Sequence, residues 1–442
     1  MVAINLDKIL KITIFLLFFI PPLVFMPGNI DGQWVFVNYT HPKLAAVMII
    51  SWAFLLLFSI KIKREARLFE KVKEILKDPF TIILFIFISY SSATALQTLV
   101  PEASFYELAQ YWTLFLLFVA LSSIINQEQY LRFITGSICI SFFIMVAIGF
   151  VQMVIFIPWL RPVGSGANFP STMGYKNPAA LALTGQWFFL LYLNYFFWRE
   201  KKMVPFFAIA TLSILEAGFI AALQSRTVYF AFFTTLLLLA IGIVSNAIAQ
   251  KGKRATSVVL GLICIVLASF MIFASVIKIY PKASERLEMI TVYIKSPSKF
   301  LETDRATYIF NSIHMANDNL LGVGIGNWRF AYPLYRVVQP KLWFNRYFQV
   351  QRAHCDYAQI LGETGWPGLI IWLALLGVLF IRGAKLAIFS ESLSPMFLMA
   401  QFSAFLLLMM FDYCIQMPYH KFAFFGSITI LFSYLNLKKR VQ

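Results

Sequence analysis

The sequence predicts an all-α polytopic membrane protein, with about twelve transmembrane helices and one large loop on the outer side. Three observations predict it. Of the 442 residues, 60% are hydrophobic and only 13% charged, about half the usual charged share of a globular domain. Apolar runs of the length a hydrocarbon core requires recur along the chain, and the mean hydropathy is +0.76. Basic residues fall mainly in alternate connections between those runs. A soluble surface needs more charge than this, so an ordinary soluble enzyme and a disordered chain are both excluded.

In chain order the runs are residues 9–26, 43–60, 79–98, 107–125, 133–157, 177–198, 203–222, 227–248, 257–279, 364–382, 395–416 and 421–437. Lys8 and Lys11 flank the first, which ends at Pro21-Pro22 without a small-residue cleavage site, so it reads as a retained span. Three parts result: 1–279 with spans one to nine, the loop 280–363, and 364–442 with the last three spans.

With Met1 inside, the inner connections hold 21 basic residues and the short outer ones 5, namely Lys43, Arg161, Lys176, Arg226 and Lys421. That split places both termini in the cytoplasm. It also accounts for most of the net charge of +17 without nucleic acid. Segment 61–78 reads as an amphipathic inner helix on the anionic leaflet. The four cysteines form no CxxC, and with four histidines no zinc spacing appears.

The loop 280–363 breaks the charge rule. It carries ten Lys/Arg, more than its acids, and an aromatic-rich stretch from Trp328 to Phe348. Basic charge on a translocated segment is not an insertion signal and predicts a negatively charged ligand; anionic lipid headgroups are the simpler candidate. Thr303 is placed to cap a helix ending near Asn317-Asp318-Asn319, and a second short helix is expected from about Arg352 to Leu361, stopped by Gly362. Gly322-Val323-Gly324-Ile325-Gly326 between them has neither the preceding strand nor the acidic residue of a nucleotide loop, and reads as a tight backbone turn.

Five spaced motifs resemble one family. They are Asn177-Pro178 after Gly174-Tyr175; Ser225-Arg226-Thr227; Asp304-Arg305 followed by Leu320 to Trp328; His354-Cys355-Asp356-Tyr357; and Glu363-Thr364-Gly365-Trp366-Pro367-Gly368. In order and spacing they are similar to those of the O-antigen ligase and polymerase superfamily of bacterial envelope glycosyltransferases, although Cys355 stands where asparagine is common. The resemblance implies a GT-C-like fold in the bacterial inner membrane with the active site facing the periplasm. It implies metal-independent, inverting transfer of a polyprenyl-diphosphate-linked glycan to an acceptor hydroxyl, with no cofactor. The acceptor is lipid A–core for a ligase and another lipid-linked glycan for a polymerase. The implied residues are Arg226 and Arg305 on the diphosphate and His354 near the acceptor.

The residues support the same chemistry on their own. A leaving diphosphate needs its charge neutralised, and a guanidinium does this with a planar, always-charged fork. Arg226 and Arg305 each open a helix, whose dipole also favours an anion; a lone arginine at a membrane boundary can equally be a snorkelling anchor. His354 lies among Arg352, Asp356 and Tyr357, and imidazole suits proton removal from a sugar hydroxyl. Arg161, Lys176, Arg352 and Tyr357 are the expected substrate-binding side chains. Glu363 is expected to bind backbone, and Asp412, near the outer end of its span, is placed to orient a basic residue. Glu216 lies deeper, and His420 and Lys421 read as surface. A lipid-linked-glycan transporter is the rival class, disfavoured by the single large loop and the lack of a visible internal repeat. The basic loop favours ligase over polymerase.

Overall fold

Helices stand at all twelve places where apolar runs predict them. The computed structural model describes residues 5–30, 33–38, 40–154, 171–249, 256–279, 281–301, 303–335 and 350–439. Asn5 caps α1 (Leu6–Phe19), accepting from the Lys8 amide at 3.2 Å, and the helix ends just before Pro21-Pro22. A feature the apolar pattern does not signal follows: an antiparallel hairpin of β1 (Met26–Ile30) and β2 (Gln33–Asn38), with Ile30 opposite Gln33. Then come α2 (Thr40–Arg64), α3 (Ala66–Leu76), α4 (Pro79–Thr94), α5 (Pro101–Ile124), α6 (Glu128–Val154), α7 (Lys176–Arg199), α8 (Met203–Ala222), α9 (Arg226–Ala249) and α10 (Thr256–Ile279). The loop contributes α11 (Pro281–Lys295), α12 (Pro297–Leu301), α13 (Asp304–Asp318) and α14 (Trp328–Ala331). The chain closes with α15 (Asp356–Phe389), α16 (Ser394–Phe411) and α17 (Pro418–Lys439).

Among the described residues, nine helices are long and apolar enough to cross a membrane: α2, α4 to α9, α15 and α16. Helix α1 has 14 residues, short of the roughly 20 that a bilayer core needs. Helix α7 is buried along almost its whole length and packs against α8 and α16, whereas α2 and α15 leave most of their apolar surface on the outside. A helix apolar all round fits both situations, since lipid and protein core are alike to it. At one end of the bundle, ion pairs tie successive connections together: Lys61 with Asp7, Arg132 with Glu200 at 3.1 Å, and Arg382 with Asp78 at 2.8 Å. The amphipathic helix is α3, shorter than 61–78 because α2 continues through Arg64. Its Leu68 and Ile75 turn inward while Phe69 and Leu76 stay exposed.

The loop elements collect at the opposite end. Helix α13 has the predicted cap, Thr303 accepting from the Ala306 amide at 3.4 Å. The second loop helix differs from expectation. Gly362 does not stop it; α15 starts at Asp356, runs through Gly362 and breaks at Gly365, whose φ is 67°. Gly362 is small because Met315 and Trp328 crowd it, each 3.0 Å from where a Cβ would sit. The break needs glycine twice over: the backbone is left-handed, and a Cβ would strike the Leu320 carbonyl. Pro367, lacking an N–H, follows. The expected junction of loop and span, residues 363–364, thus lies beside the break.

The glycine-rich segment is the tight turn that the sequence predicts, and it interlocks with the break. Val323 and Gly324 donate to the Gly362 and Glu363 carbonyls at 3.0 and 2.9 Å. At Gly322, φ is 84° and a Cβ would overlap the Glu363 carbonyl. Asn327 then clasps the start of α5, accepting from the Val100 amide at 2.8 Å and donating to Ser104 Oγ at 2.9 Å. The loop is therefore bolted to the bundle immediately before the site.

Candidate functional site

Arg226 and Arg305 come from elements far apart in sequence and line one cavity of about 720 Å³. Arg226 is the first residue of α9 and donates to the Tyr293 hydroxyl on α11 at 3.0 Å. Arg305 lies in the first turn of α13, where the Thr303 cap fixes the helix, and donates to Thr227 Oγ1 at 2.6 Å. Thr227 follows Arg226, so this bond holds the two arginine-bearing helix starts together. The remaining walls are largely apolar, including Phe230, Ile290, Phe300 and Phe411. Two guanidiniums at helix N-termini beside an apolar wall form a place for an anionic head joined to a hydrocarbon.

Asp412, the residue that ends α16, joins this cavity to His354. Its carboxylate is fully buried, with Oδ2 at 3.5 Å from Arg305 Nη2 and Oδ1 at 3.5 Å from His354 Nδ1. Oδ1 also accepts from the Tyr413 amide at 3.0 Å. Both side-chain contacts are longer than a good hydrogen bond, as unliganded sites often are. Arg305 and His354 keep 29% and 32% of their side-chain surface exposed, so both remain reachable beside a buried anion. The His354 backbone has φ 51°, a left-handed conformation that non-glycine residues rarely adopt and that clusters at functional sites. Its ring lies against Tyr308 at 6.0 Å and edge-on to Tyr413 at 4.7 Å.

The other predicted residues divide. Arg352 donates to the Gln416 carbonyl and lies over the Tyr413 ring at 5.4 Å, so it faces His354 across that ring rather than joining Arg226 and Arg305. Tyr357 donates to the Leu406 carbonyl at 3.2 Å, a contact that joins α15 to α16. Lys176 opens α7 and does not line this cavity. Arg161 lies outside the described residues. Glu363 is buried and accepts from Gln359 Nε2 at 3.0 Å, with the Gly326 and Trp328 backbone near its carboxylate.

His420 and Lys421 are not surface residues. His420 Nε2 meets the Pro178 carbonyl at 2.8 Å, and Lys421 is fully buried in an ion pair with Glu107. Both lie in the first turn of α17, which is buried at that end, and their charge alone did not signal this. Glu216 is buried in α8, with no hydrogen-bond partner for its carboxyl among the described residues. Asp356 Oδ2 takes the Ile415 amide at 3.0 Å and so fixes the segment that follows Asp412. Burial pushes the Cys355 thiol up to about 11, so it stays protonated and is no nucleophile.

Residues 207–373 match the family model described as O-antigen ligase. The match covers less than half of the chain, and over that stretch the protein is similar to the O-antigen ligase family. The matched stretch carries Arg226, Arg305 and His354 and stops short of Asp412. It supports glycosyl transfer of the ligase or polymerase type by a multi-pass membrane protein. No curated protein matches the chain.

Proposed function

We propose that this protein is a member of the O-antigen ligase and polymerase superfamily and transfers a glycan from a polyprenyl diphosphate to an acceptor hydroxyl on the outer side of the inner membrane, as an O-antigen ligase acting on lipid A–core. The observation that carries the reading is the convergence of Arg305 and His354 on one buried carboxylate, with Arg226 in the same cavity as Arg305. The diphosphate sits against the two guanidiniums and its polyprenyl chain lies along the apolar wall. The acceptor oxygen attacks the anomeric carbon from the face opposite the leaving oxygen, so the configuration inverts. His354 takes the hydroxyl proton. With Nδ1 turned to Asp412, Nε2 is the nitrogen left for that proton, and the carboxylate stabilises the imidazolium that forms. The bond to the diphosphate breaks as Arg226 and Arg305 absorb the charge, so the step needs no metal ion.

Ligase is favoured over polymerase by the excess of basic residues in segment 280–363, which suits a phosphorylated acceptor. A reacting constellation gathered at one end of the bundle fits group transfer better than transport. The test is reconstitution in liposomes with purified lipid-linked glycan and each acceptor in turn, with chelator present. Transfer to lipid A–core is expected. Transfer only between lipid-linked glycans assigns the polymerase, and no transfer to either acceptor overturns the reading.

A further inference from the structure

The ion pair of Asp78 with Arg382, at 2.8 Å, gives a fixed level at one end of the bundle. Charge is costly inside hydrocarbon, so this pair marks the boundary of the apolar slab or lies beyond it. From that level α4 climbs 16 residues to Thr94, and α15 reaches the same level at Arg382 after descending from its break at Gly365. At 1.5 Å per residue each covers about 24 Å. The two ends stand side by side, since the Tyr90 hydroxyl donates to the Thr364 carbonyl at 3.0 Å. A hydrocarbon core is about 30 Å thick, and helix tilt only shortens what a helix covers. Roughly 5 Å of apolar slab is therefore left above both helix ends.

Apolar side chains continue into that gap. Leu96, 90% exposed, and Leu99 follow α4, Leu320 and Leu321 lead from α13 into the glycine turn, and Trp366 follows the break. All five are exposed. The turn brings their segments together: the Ile325 amide donates to Thr94 Oγ1 at 3.3 Å, a Cβ on Gly324 would strike Thr98, and one on Gly365 would strike the Leu320 carbonyl. No charged residue occurs in 79–101, 319–328 or 364–381. A single exposed leucine means little, but a patch drawn from three segments at one level marks an interaction surface.

The backbone suits the same surroundings. Irregular backbone is tolerated at membrane depth only where protein satisfies its polar groups. The Gly322, Val323 and Gly324 amides donate to the Asn319, Gly362 and Glu363 carbonyls, and the Ile325 amide donates to Thr94. Four successive amides thus need no water, in a turn whose preceding leucines are exposed. The Trp366 indole N–H donates to Asn317 Oδ1 at 3.1 Å, which leaves its ring free to lie at a membrane boundary.

We propose that Leu96, Leu99, Leu320, Leu321 and Trp366 form a wedge inserted among the phospholipid acyl chains of the adjacent leaflet. The segment 280–363 is then partly embedded in the membrane rather than wholly aqueous. Helix α13 begins beside Arg305 and ends at this wedge, so the wedge ties that arginine to the plane of the bilayer. The inference rests on helix length, exposure and backbone bonding, and it stands apart from the glycosyl-transfer reading.

The test uses the full chain with its cysteines replaced by alanine, one copy per nanodisc of phosphatidylethanolamine and phosphatidylglycerol. A nitroxide is attached at Leu321→Cys, at Leu96→Cys or, as the aqueous reference, at Leu334→Cys, and size-exclusion profiles check folding. Power-saturation EPR compares collisions with oxygen, which concentrates among acyl chains, and with a water-soluble nickel chelate. At Leu321→Cys and Leu96→Cys oxygen collisions should exceed nickel collisions severalfold, with the order reversed at Leu334→Cys. Nickel access at Leu321→Cys equal to that of the reference overturns the proposal, because the bilayer then thins around α4 and α15 instead. Poor access to both reagents also overturns it, because protein then covers the patch. In short-chain dilauroyl lipids, nickel access at Leu321→Cys should rise severalfold as the slab shrinks. Unchanged access there would mean that the apolar slab does not set the depth of these residues, and would reject the wedge.

Discussion

Asp412→Asn removes one negative charge and little else. The amide keeps an oxygen for the Tyr413 N–H, and the volume is conserved. What is lost is the anion between Arg305 and His354, each 3.5 Å away. Hydrogen bonds to charged groups contribute about 1.5–3 kcal/mol. These contacts are long and their partners partly exposed, so the low end applies, about 1.5 kcal/mol for each. Their sum of about 3 kcal/mol corresponds to roughly a hundredfold in rate. The loss should fall on kcat, because the carboxylate stabilises the imidazolium formed only as the acceptor proton moves. Donor KM should rise only a few-fold, since Arg305 keeps its bond to Thr227. The assay follows transfer of a labelled lipid-linked glycan in liposomes, with size-exclusion profile and thermal unfolding as the check on folding. A folded Asp412→Asn variant within threefold of the wild-type rate would refute the argument that this carboxylate organises the site.

Arg226→Ala and Arg305→Ala should each lose about 10²–10³ in kcat, with lysine restoring only part because it keeps the charge and loses the fork; steady-state transfer rates measure both. Gly365→Ala should lower the thermal midpoint and the folded yield, because the left-handed turn and the Leu320 carbonyl both reject a Cβ; Gly377→Ala, which meets nothing within 4 Å, is the control. In a chain freed of native cysteines, Leu334→Cys, 74% exposed, should react with an impermeant maleimide in intact spheroplasts. Labelling only after permeabilisation would reverse the proposed topology and move the site to the cytoplasm.

The bundle was legible because hydrophobic length is a local signal that lipid does not disguise: each apolar run became a helix. The α13 cap was legible because Thr303 and its helix are neighbours in sequence. The hairpin was not, since two short strands of mixed polarity between two long apolar runs carry little periodic signal. Gly362 was misread because glycine serves both as a helix stop and as room for a neighbour. Only the fold shows that Trp328 and Met315 occupy that room, and that Gly365 makes the break. At the candidate site, residue type and motif single out Arg226, Arg305 and His354, and position at the end of a span singles out Asp412. That Asp412 would face two of the other three depends on how α13, α15 and α16 meet, which no short spacing encodes. Arg352 is singled out as a binding residue by its place in the motif; only the fold shows it set against the Gln416 carbonyl and the Tyr413 ring, away from Arg226 and Arg305. His420 and Lys421 misled because a charged pair on a short turn looks exposed until Pro178 and Glu107 arrive from other helices.

The central claim is that His354 removes the acceptor proton while the arginines hold the diphosphate, and single-turnover transfer by His354→Gln tests it most directly. With donor bound before acceptor is added, the variant should retain donor affinity within a few-fold and lose about 10²–10⁴ of the transfer rate, the usual contribution of general-base catalysis. Transfer by His354→Gln at close to the wild-type rate would contradict the account and leave His354 a residue that only positions the acceptor.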